Sequence, residues 1–312
     1  MKTIMTKVIL ASTLLMGYCS DSNENSLHLT DNEQLYHNAS DFNDYWYAGE
    51  AEITSYELVQ ARYGEKRNGQ AVLIFVTEDF LPDLQVKDES SSGEGISVLK
   101  LNYTKKFYTG IYPYSMMSSV FTPVKNEDYP STLKVSTSSQ EWCGHTYLQV
   151  NHENEAYRVT GHSYFESEAD QETMVAPDFL EDEIWTRIRI EPASLPVGTH
   201  QVLPGSFYLR LKHKPLEPVT ANCSISQEKG IYTYTIKYPS LSRTLSIEFE
   251  EAFPHAILGW EETYPSGFGI NSQSITSTAT KTASIKSDYW NKNGTGDKGI
   301  RDQLQLDYPE GW

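Results

Sequence analysis

The chain has 312 residues and a formal net charge of −17 at pH 7, from 42 acidic and 25 basic side chains. This length suffices for one large β domain or two ordinary domains with a real hydrophobic core. So acidic a surface repels nucleic acid and anionic lipid, which argues against a nucleic-acid partner. High acidity permits divalent-cation binding, but solubility alone also explains it.

Residues 1–19 predict an export signal. Lys2 and Lys7 supply positive charge, residues 8–18 form a short apolar run, and Cys19 stands at its end. Such a leader is too short to span a bilayer and is typical of a signal peptide. The boundary cysteine resembles the end of a bacterial lipobox, where it would be lipidated, for example with palmitate. The alternative is an ordinary secretory signal with an incidental cysteine.

Residues 20–44 are rich in Asn, Asp, Ser and Glu and predict a flexible polar tether. A β-rich domain is expected over residues 45–312. Since no later stretch reaches the ~18 apolar residues of a membrane helix, we expect membrane attachment through the N-terminal lipid alone.

From residue 45 onward the sequence predicts strands. Residues 45–58 alternate loosely between apolar and polar side chains, which indicates a half-buried strand. Asn68-Gly69 is typical of a tight hairpin turn. Residues 72–76 are continuously apolar, so this strand is expected to be covered on both faces.

One helix is predicted near the middle of the chain. Pro177-Asp178 opens it, and Leu180, Ile184 and Ile188 then follow at helical spacing. Strands are expected to return afterwards, including one over residues 206–212 and a last one over residues 299–306.

The expected fold class is mainly β. A dozen or more strands joined by short loops imply antiparallel pairing. We expect one large curved antiparallel sheet, half-barrel or sandwich-like, with one or two helices near its concave face. Its two halves, about residues 45–175 and 195–312, could also be separate layers or domains. The absence of βαβ alternation and of a glycine-rich phosphate loop argues against a nucleotide-binding α/β sheet.

The densest polar cluster spans residues 141–145 and 161–170. On a hairpin, His145 and His162 would be near neighbours. Together with Glu166 or Asp170 they could hold a divalent metal, because two histidines and a carboxylate are a common zinc set. Alternatively, Cys143 could be a nucleophile with either histidine as its base. The histidines could also be purely structural, and no cofactor is required by the sequence.

The remaining cysteines are Cys143 and Cys223. In an oxidising compartment they could form a disulfide, and the alternative is two buried thiols.

Aromatic and cationic residues suggest a binding role. The chain has 21 Tyr, 11 Phe and 6 Trp, and tyrosine faces suit sugar rings, lipids or peptides. Tyrosine also simply favours strands. Arg210, Lys212 and Lys214 alternate along a predicted strand, either as a small anion patch or as a solvated face.

Two resemblances bear on location. The sequence SDSNE (20–24) is similar to the acidic export signals that send lipoproteins of Bacteroidota to the outer cell surface. Over most of the mature chain, the core segments resemble an uncharacterised family of flavobacterial lipoproteins. These segments are YWYAGEAEITSY (45–56), ARYGE (61–65), AVLIFVTE (71–78), QEWCGH (140–145) and LKHKP (211–215).

Members of that family often carry the label "septum formation inhibitor Maf". The Arg-x-Ala-Ser-Pro-Arg-Arg start of true Maf nucleotide pyrophosphatases does not occur in this chain, so that activity is not expected. The resemblance implies a lipid-anchored protein of the outer membrane, facing the periplasm or the cell surface, and implies little about activity.

Two functions follow as hypotheses. The first is a non-enzymatic cell-envelope lipoprotein whose β scaffold binds a small apolar or glycan ligand on its concave side. The alternative is a metal-dependent hydrolase that uses His145, His162 and Glu166.

Overall fold

The computed structural model describes residues 39–90, 93–124 and 127–306. The predicted signal peptide with Cys19, and residues 20–38 of the predicted tether, lie outside the described residues. Helix α1 (Ala39–Trp46) overlaps the last residues of the predicted tether and buries Phe42 and Trp46. None of the helices in the described ranges is long and apolar enough to cross a membrane.

The prediction of a mainly β fold is confirmed, since sixteen strands of the described chain form one sheet. The strands are β1 Ala51–Arg62, β2 Glu65–Leu81, β3 Val86–Lys87, β4 Ile96–Thr109, β5 Tyr112–Pro123, β6 Lys134–Glu141, β7 Gly144–Glu153, β8 Ala156–Ser163, β9 Gln171–Val175, β10 Phe179–Leu180, β11 Gly198–Leu203, β12 Val219–Glu228, β13 Ile231–Tyr238, β14 Arg243–Glu250, β15 Ile257–Ser266 and β16 Gln273–Ser287. The other helices in the described part of the chain are α2 Ile184–Ile190, α3 Ser206–Lys212 and α4 Ile300–Gln303.

Two antiparallel meanders make up the sheet. One runs from β2 through β4 to β9 at one edge, and the other runs from β16 back through β15 to β10 at the opposite edge. Strand β1 joins them, because it pairs with both β2 and β16. Both predicted halves therefore contribute to one continuous, open sheet, in which β10 and β11 are the only described strands that pair in parallel.

The sheet curls around a common interior. Strand β13 shows the pattern: Tyr232, Tyr234 and Ile236 are buried, and the residues between them are more exposed. Val175 near one edge and Val202 near the other belong to the same core cluster as residues of the central strands. This shared core requires strong curvature, and it agrees with the short chain of residues 176–178 that links the two edge strands.

Helices α2 and α3 occupy this interior. Six of the seven residues in each helix are buried, which is typical of a helix inside a core. The predicted helix is confirmed as α2, but its predicted start at Pro177-Asp178 is wrong, because Leu180 lies in strand β10 and the helix begins at Ile184. The strand predicted over residues 206–212 is wrong: this segment is α3, because burial on every side outweighs the short alternation of Arg210, Leu211 and Lys212.

A buried ion pair fixes α2 to the sheet. Arg189 of α2 donates to both carboxylate oxygens of Glu52 in β1, at 2.6 and 2.5 Å, and both side chains are almost fully buried. Burial alone would raise the pKa of Glu52, but the Arg189 guanidinium holds it at about 2. The pair is therefore charged at every physiological pH.

Strand β2 is covered on both faces, as predicted. Leu73 and Phe75 point into the main core. Val76 on the other face packs in a second cluster with Leu304, which follows α4. The predicted last strand over residues 299–306 is wrong, since this segment forms a short helix that covers the outside of β2.

The turn between β1 and β2 is at Tyr63-Gly64 and not at Asn68-Gly69. Tyr63 and Gly64 have φ values of 57° and 81°, the left-handed conformation of a two-residue hairpin turn. Gly69 lies within β2, where a Cβ atom would stand 2.3 Å from the carbonyl oxygen of Lys106. Glycine is needed there because β4 approaches closely.

Candidate ligand-binding site

Antiparallel pairing places alternate loops at the same end of the sheet. One end carries the loops β1–β2, β4–β5, β6–β7, β8–β9, β13–β14 and β15–β16, and also the end of α3. We call this end the rim; it comprises residues 62–65, 108–112, 141–145, 163–171, 210–214, 239–242 and 266–273. Helix α1 and the turn between β12 and β13 lie at the opposite end.

The rim carries most of the large apolar side chains that are strongly exposed. Among the described residues, seven large apolar side chains are at least 65% exposed, and six of these are at the rim. The six are Tyr108, Ile111, Trp142, Tyr164, Phe268 and Ile270. Leu84, the seventh, lies at the opposite end. This concentration of apolar side chains makes the rim the candidate binding site of the domain.

Two of these rings are held by partners from neighbouring loops. Tyr63 and Phe268 stack with their ring centroids 5.7 Å apart. Tyr112 and Trp142 stack at 6.2 Å. Each pair joins two different loops, so the rings form paired, flat faces on a rigid sheet.

A cavity of about 290 Å³ opens behind the Tyr63–Phe268 pair. Its lining is aromatic and cationic, and no Asp or Glu of the described chain belongs to it. The lining residues are Ala61, Arg62, Tyr63, Leu211, Lys212, His213, Tyr264, Ser266, Gly267 and Phe268.

Arg62 is buried without a carboxylate partner among the described residues. Its guanidinium donates to the carbonyl oxygen of Leu211. It also donates to the hydroxyls of Tyr63 and Tyr114, each at 3.0 Å, and the guanidinium carbon stands 4.1 Å from the centre of the Tyr63 ring. Neutral oxygens and ring faces therefore hold this charge in place and leave it uncompensated.

Lys212 adds a second positive charge to the cavity. Its ammonium donates to the carbonyl oxygen of Pro265 at 2.7 Å. Partial burial and then the positive charge of the nearby Arg62 lower the pKa of Lys212. The whole chain has a net charge of −17, so this cavity is a positively charged spot on an acidic protein.

On the other side of α3, the loop between β8 and β9 contacts the helix. Glu168 of this loop accepts from His213 at 2.5 Å, and Phe165 lies under the Arg210 guanidinium, 4.4 Å from the ring centre. Arg210 in turn stands 3.7 Å from Glu141. The rim loops are thus fastened to α3 by ion pairs and ring contacts.

The structure brings some of the predicted site residues together. His145, His162 and Asp170 line one surface pocket of about 270 Å³, in which His162 Nδ1 is 3.3 Å from Asp170 Oδ1. Glu166 is exposed in the β8–β9 loop and does not line this pocket. Within the described ranges, no three His, Cys, Asp or Glu side chains lie close enough to hold a metal ion.

The register explains the histidine geometry. Tyr147 pairs directly with His162, so His145, two residues earlier on the same face, is a diagonal neighbour of His162. Diagonal positions on a sheet are ~7–8 Å apart, against ~4.5–5.5 Å for direct pairs.

Both described cysteines are free thiols, so the predicted disulfide between Cys143 and Cys223 is not formed in this structure. Cys143 is exposed in the β6–β7 turn, and Cys223 is buried in β12 of the other meander. A hydrogen bond and the charge of Glu141 raise the pKa of the Cys143 thiol. The reactive thiolate is therefore disfavoured, the opposite of what a nucleophilic cysteine needs.

The interior also holds a small polar cavity of about 30 Å³, beside Lys105 and Asp182, with room for about two water molecules. Burial raises the pKa of Asp182 to about 6. Asp182 accepts two hydrogen bonds from Ser206, which begins α3. Asp182 therefore holds the start of α3. The cavity beside it is too small for a ligand.

Sequence reasoning missed the main members of the rim cavity, Arg62, Tyr264 and Phe268. One local signal was available: Phe268 and Ile270 alternate with Gly267 and Gly269, so large apolar side chains fall in a turn. No protein-family model, curated protein or solved structure matches the chain. What the protein binds is therefore inferred from the rim.

Proposed function

We propose that this protein is a cell-envelope lipoprotein, anchored to the outer membrane through Cys19, whose β domain is a non-enzymatic module that binds a glycan at the rim. One observation carries the proposal: six of the seven most exposed apolar side chains in the described chain are at this end of the sheet.

The chemistry of the rim favours sugar over a purely apolar ligand. The exposed rings are mainly Tyr, Trp and Phe on loop tips, where a flat face can stack on the C–H face of a sugar while polar tips remain in water. An apolar ligand would need a deep pocket that covers most of its surface. Helices α2 and α3 fill the interior of the curled sheet, so the rim replaces the concave side as the proposed site.

The anchor and the rim are compatible in geometry. The chain enters the domain through α1, at the end opposite the rim; the Trp46 carbonyl accepts a hydrogen bond there from Thr77 at 2.6 Å. A lipid on Cys19 would therefore hold the domain by one end and leave the rim free to meet a ligand in the periplasm or at the cell surface.

Glycan binding is tested on an array of neutral and acidic oligosaccharides with the full chain in detergent. We expect binding that is lost in Phe268→Ala and Trp142→Ala and retained in Leu84→Ala, which removes an equally exposed side chain at the opposite end. Binding to no glycan, or equal losses in all three variants, would overturn the proposal.

The anchor is tested separately by labelling cells with palmitate. We expect the wild type and Cys143→Ala to take up label and Cys19→Ala to take up none. An unlabelled wild type contradicts the lipoprotein assignment and leaves the glycan result unaffected.

A further inference from the structure

Arg62 differs from the other buried arginines of the domain. Arg189, Arg210 and Arg243 each stand within 4.0 Å of a carboxylate, at Glu52, Glu141 and Glu181 respectively. Arg62 has 7% exposure and forms no such pair among the described residues. Its guanidinium is held by the Leu211 carbonyl of α3 and by two tyrosine hydroxyls, so the charge has hydrogen-bond partners and no carboxylate beside it within the described ranges, which is costly for a buried charge.

The cavity beside Arg62 can receive an anion. The Lys212 ammonium uses one donor for Pro265 and has two more available. The Ser266 hydroxyl, which accepts from the Gly64 amide at 3.1 Å, can donate its own proton into the same space. Within the described ranges, no Asp or Glu lines the cavity to repel a negative group.

The walls of the cavity suit a ring. Tyr63 and Phe268 form a stacked pair at its mouth, and Tyr264 closes its inner side. The volume of about 290 Å³ is at the lower end of the ~300–1,000 Å³ of ligand pockets. It fits one terminal residue and not a chain.

We infer that this cavity binds the charged residue of an acidic glycan, with Arg62 and Lys212 facing its carboxylate, sulfate or phosphate and the aromatic walls packing on its ring. This inference rests on the proposed glycan-binding function and adds the charge of the ligand. The remaining rim aromatics then contact the neighbouring sugars.

The charge of the ligand is tested on a glycan array that pairs each acidic member with its neutral counterpart. The acidic members are uronate, sialate, sulfate-ester and phosphate-ester glycans. We expect the wild-type full chain to prefer at least one acidic member over its neutral partner by tenfold or more. Lys212→Gln keeps a donor for Pro265 and removes the charge. It should weaken that binding about 10- to 100-fold, as for the loss of a charge-assisted hydrogen bond.

The matched control is Lys229→Gln, which makes the same change at a lysine 87% exposed at the opposite end; it should bind as the wild type. Melting temperatures of both variants report whether each is folded. Equal binding of acidic and neutral members refutes the acidic-ligand inference and leaves the glycan proposal standing. Binding to no glycan refutes both. Charge-dependent binding of phosphatidylglycerol vesicles without binding of acidic glycans would assign the cavity to a lipid headgroup.

Discussion

Replacing Glu52 with glutamine breaks the ion pair that holds α2 inside the sheet. The glutamine side chain would offer Arg189 one carbonyl oxygen and turn an NH2 group toward guanidinium donors, where Glu52 now accepts two hydrogen bonds. The Arg189 charge would remain buried between the Trp46 and Phe75 rings, 5.0 and 4.8 Å from their centres.

Two arguments give the expected loss in the free energy of unfolding. Removing one partner of a buried ion pair costs about 3–5 kcal/mol. The pKa of Glu52 lies at about 2 in the folded chain, against an ordinary value of 4.5, and at about 1.4 kcal/mol per pKa unit this difference is worth about 3 kcal/mol. We therefore expect a loss of about 3 kcal/mol in the free energy of unfolding at pH 7.

Urea unfolding followed by tryptophan fluorescence measures this loss. The control is Glu57→Gln, the same change at an exposed position of β1, which should lie within about 0.5 kcal/mol of the wild type. Because the folded pKa is lowered, the stabilisation by Glu52 is complete above pH 4.5 and is lost as the pH falls toward 2. The gap between wild type and Glu52→Gln should close over that interval. A gap below about 1 kcal/mol at pH 7, or a gap that does not change with pH, would show that the ion pair does not stabilise the fold in this way.

Two further predictions concern Asp182 and the two cysteines. Burial raises the pKa of Asp182 to about 6, so the folded chain holds this proton more tightly than the unfolded chain and stability falls as pH rises from about 4 to about 6. Asp182→Asn keeps an oxygen for Ser206 and should abolish this decline and add about 2 kcal/mol at pH 7; an unchanged pH profile in urea unfolding would contradict it. In the native chain, Cys143 should react with iodoacetamide, more slowly than a free cysteine, and Cys223 only after unfolding. Mass spectrometry after labelling measures this order. Reaction of Cys223 before Cys143 in the native chain would contradict the prediction.

Much of the β architecture could be predicted from the sequence because it depends on local periodicity. The continuous run over residues 72–76 correctly indicated a strand covered on both faces, since each face of β2 contacts its own cluster. Helix α2 was predicted because Ile184 and Ile188 lie one turn apart on a buried helix.

Local signals failed where tertiary packing decides the conformation. Asn68-Gly69 has the composition of a turn, yet Gly69 lies within β2, where a side chain would collide with the backbone of β4. Residues 206–212 alternate like a strand but form α3, because the interior surrounds them on every side.

The rim cavity could not be predicted from the sequence because residues from distant parts of the chain form it. Arg62, Lys212 and Phe268 are far apart in the chain, and only the pairing of β1 with β16, together with the placement of α3 inside the sheet, brings them to one end. The polar cluster around His145 and His162 was visible in the sequence because its members share one hairpin.

Hydrogen–deuterium exchange of the full chain, with and without the tightest-binding array glycan, shows where on the domain the ligand binds. We expect slower exchange on binding in the β1–β2 turn around Tyr63 and in residues 266–273, with the turn around Lys229 unchanged. Slower exchange confined to the opposite end, or to α2 and the strands around it, would mean that the ligand does not bind at the rim.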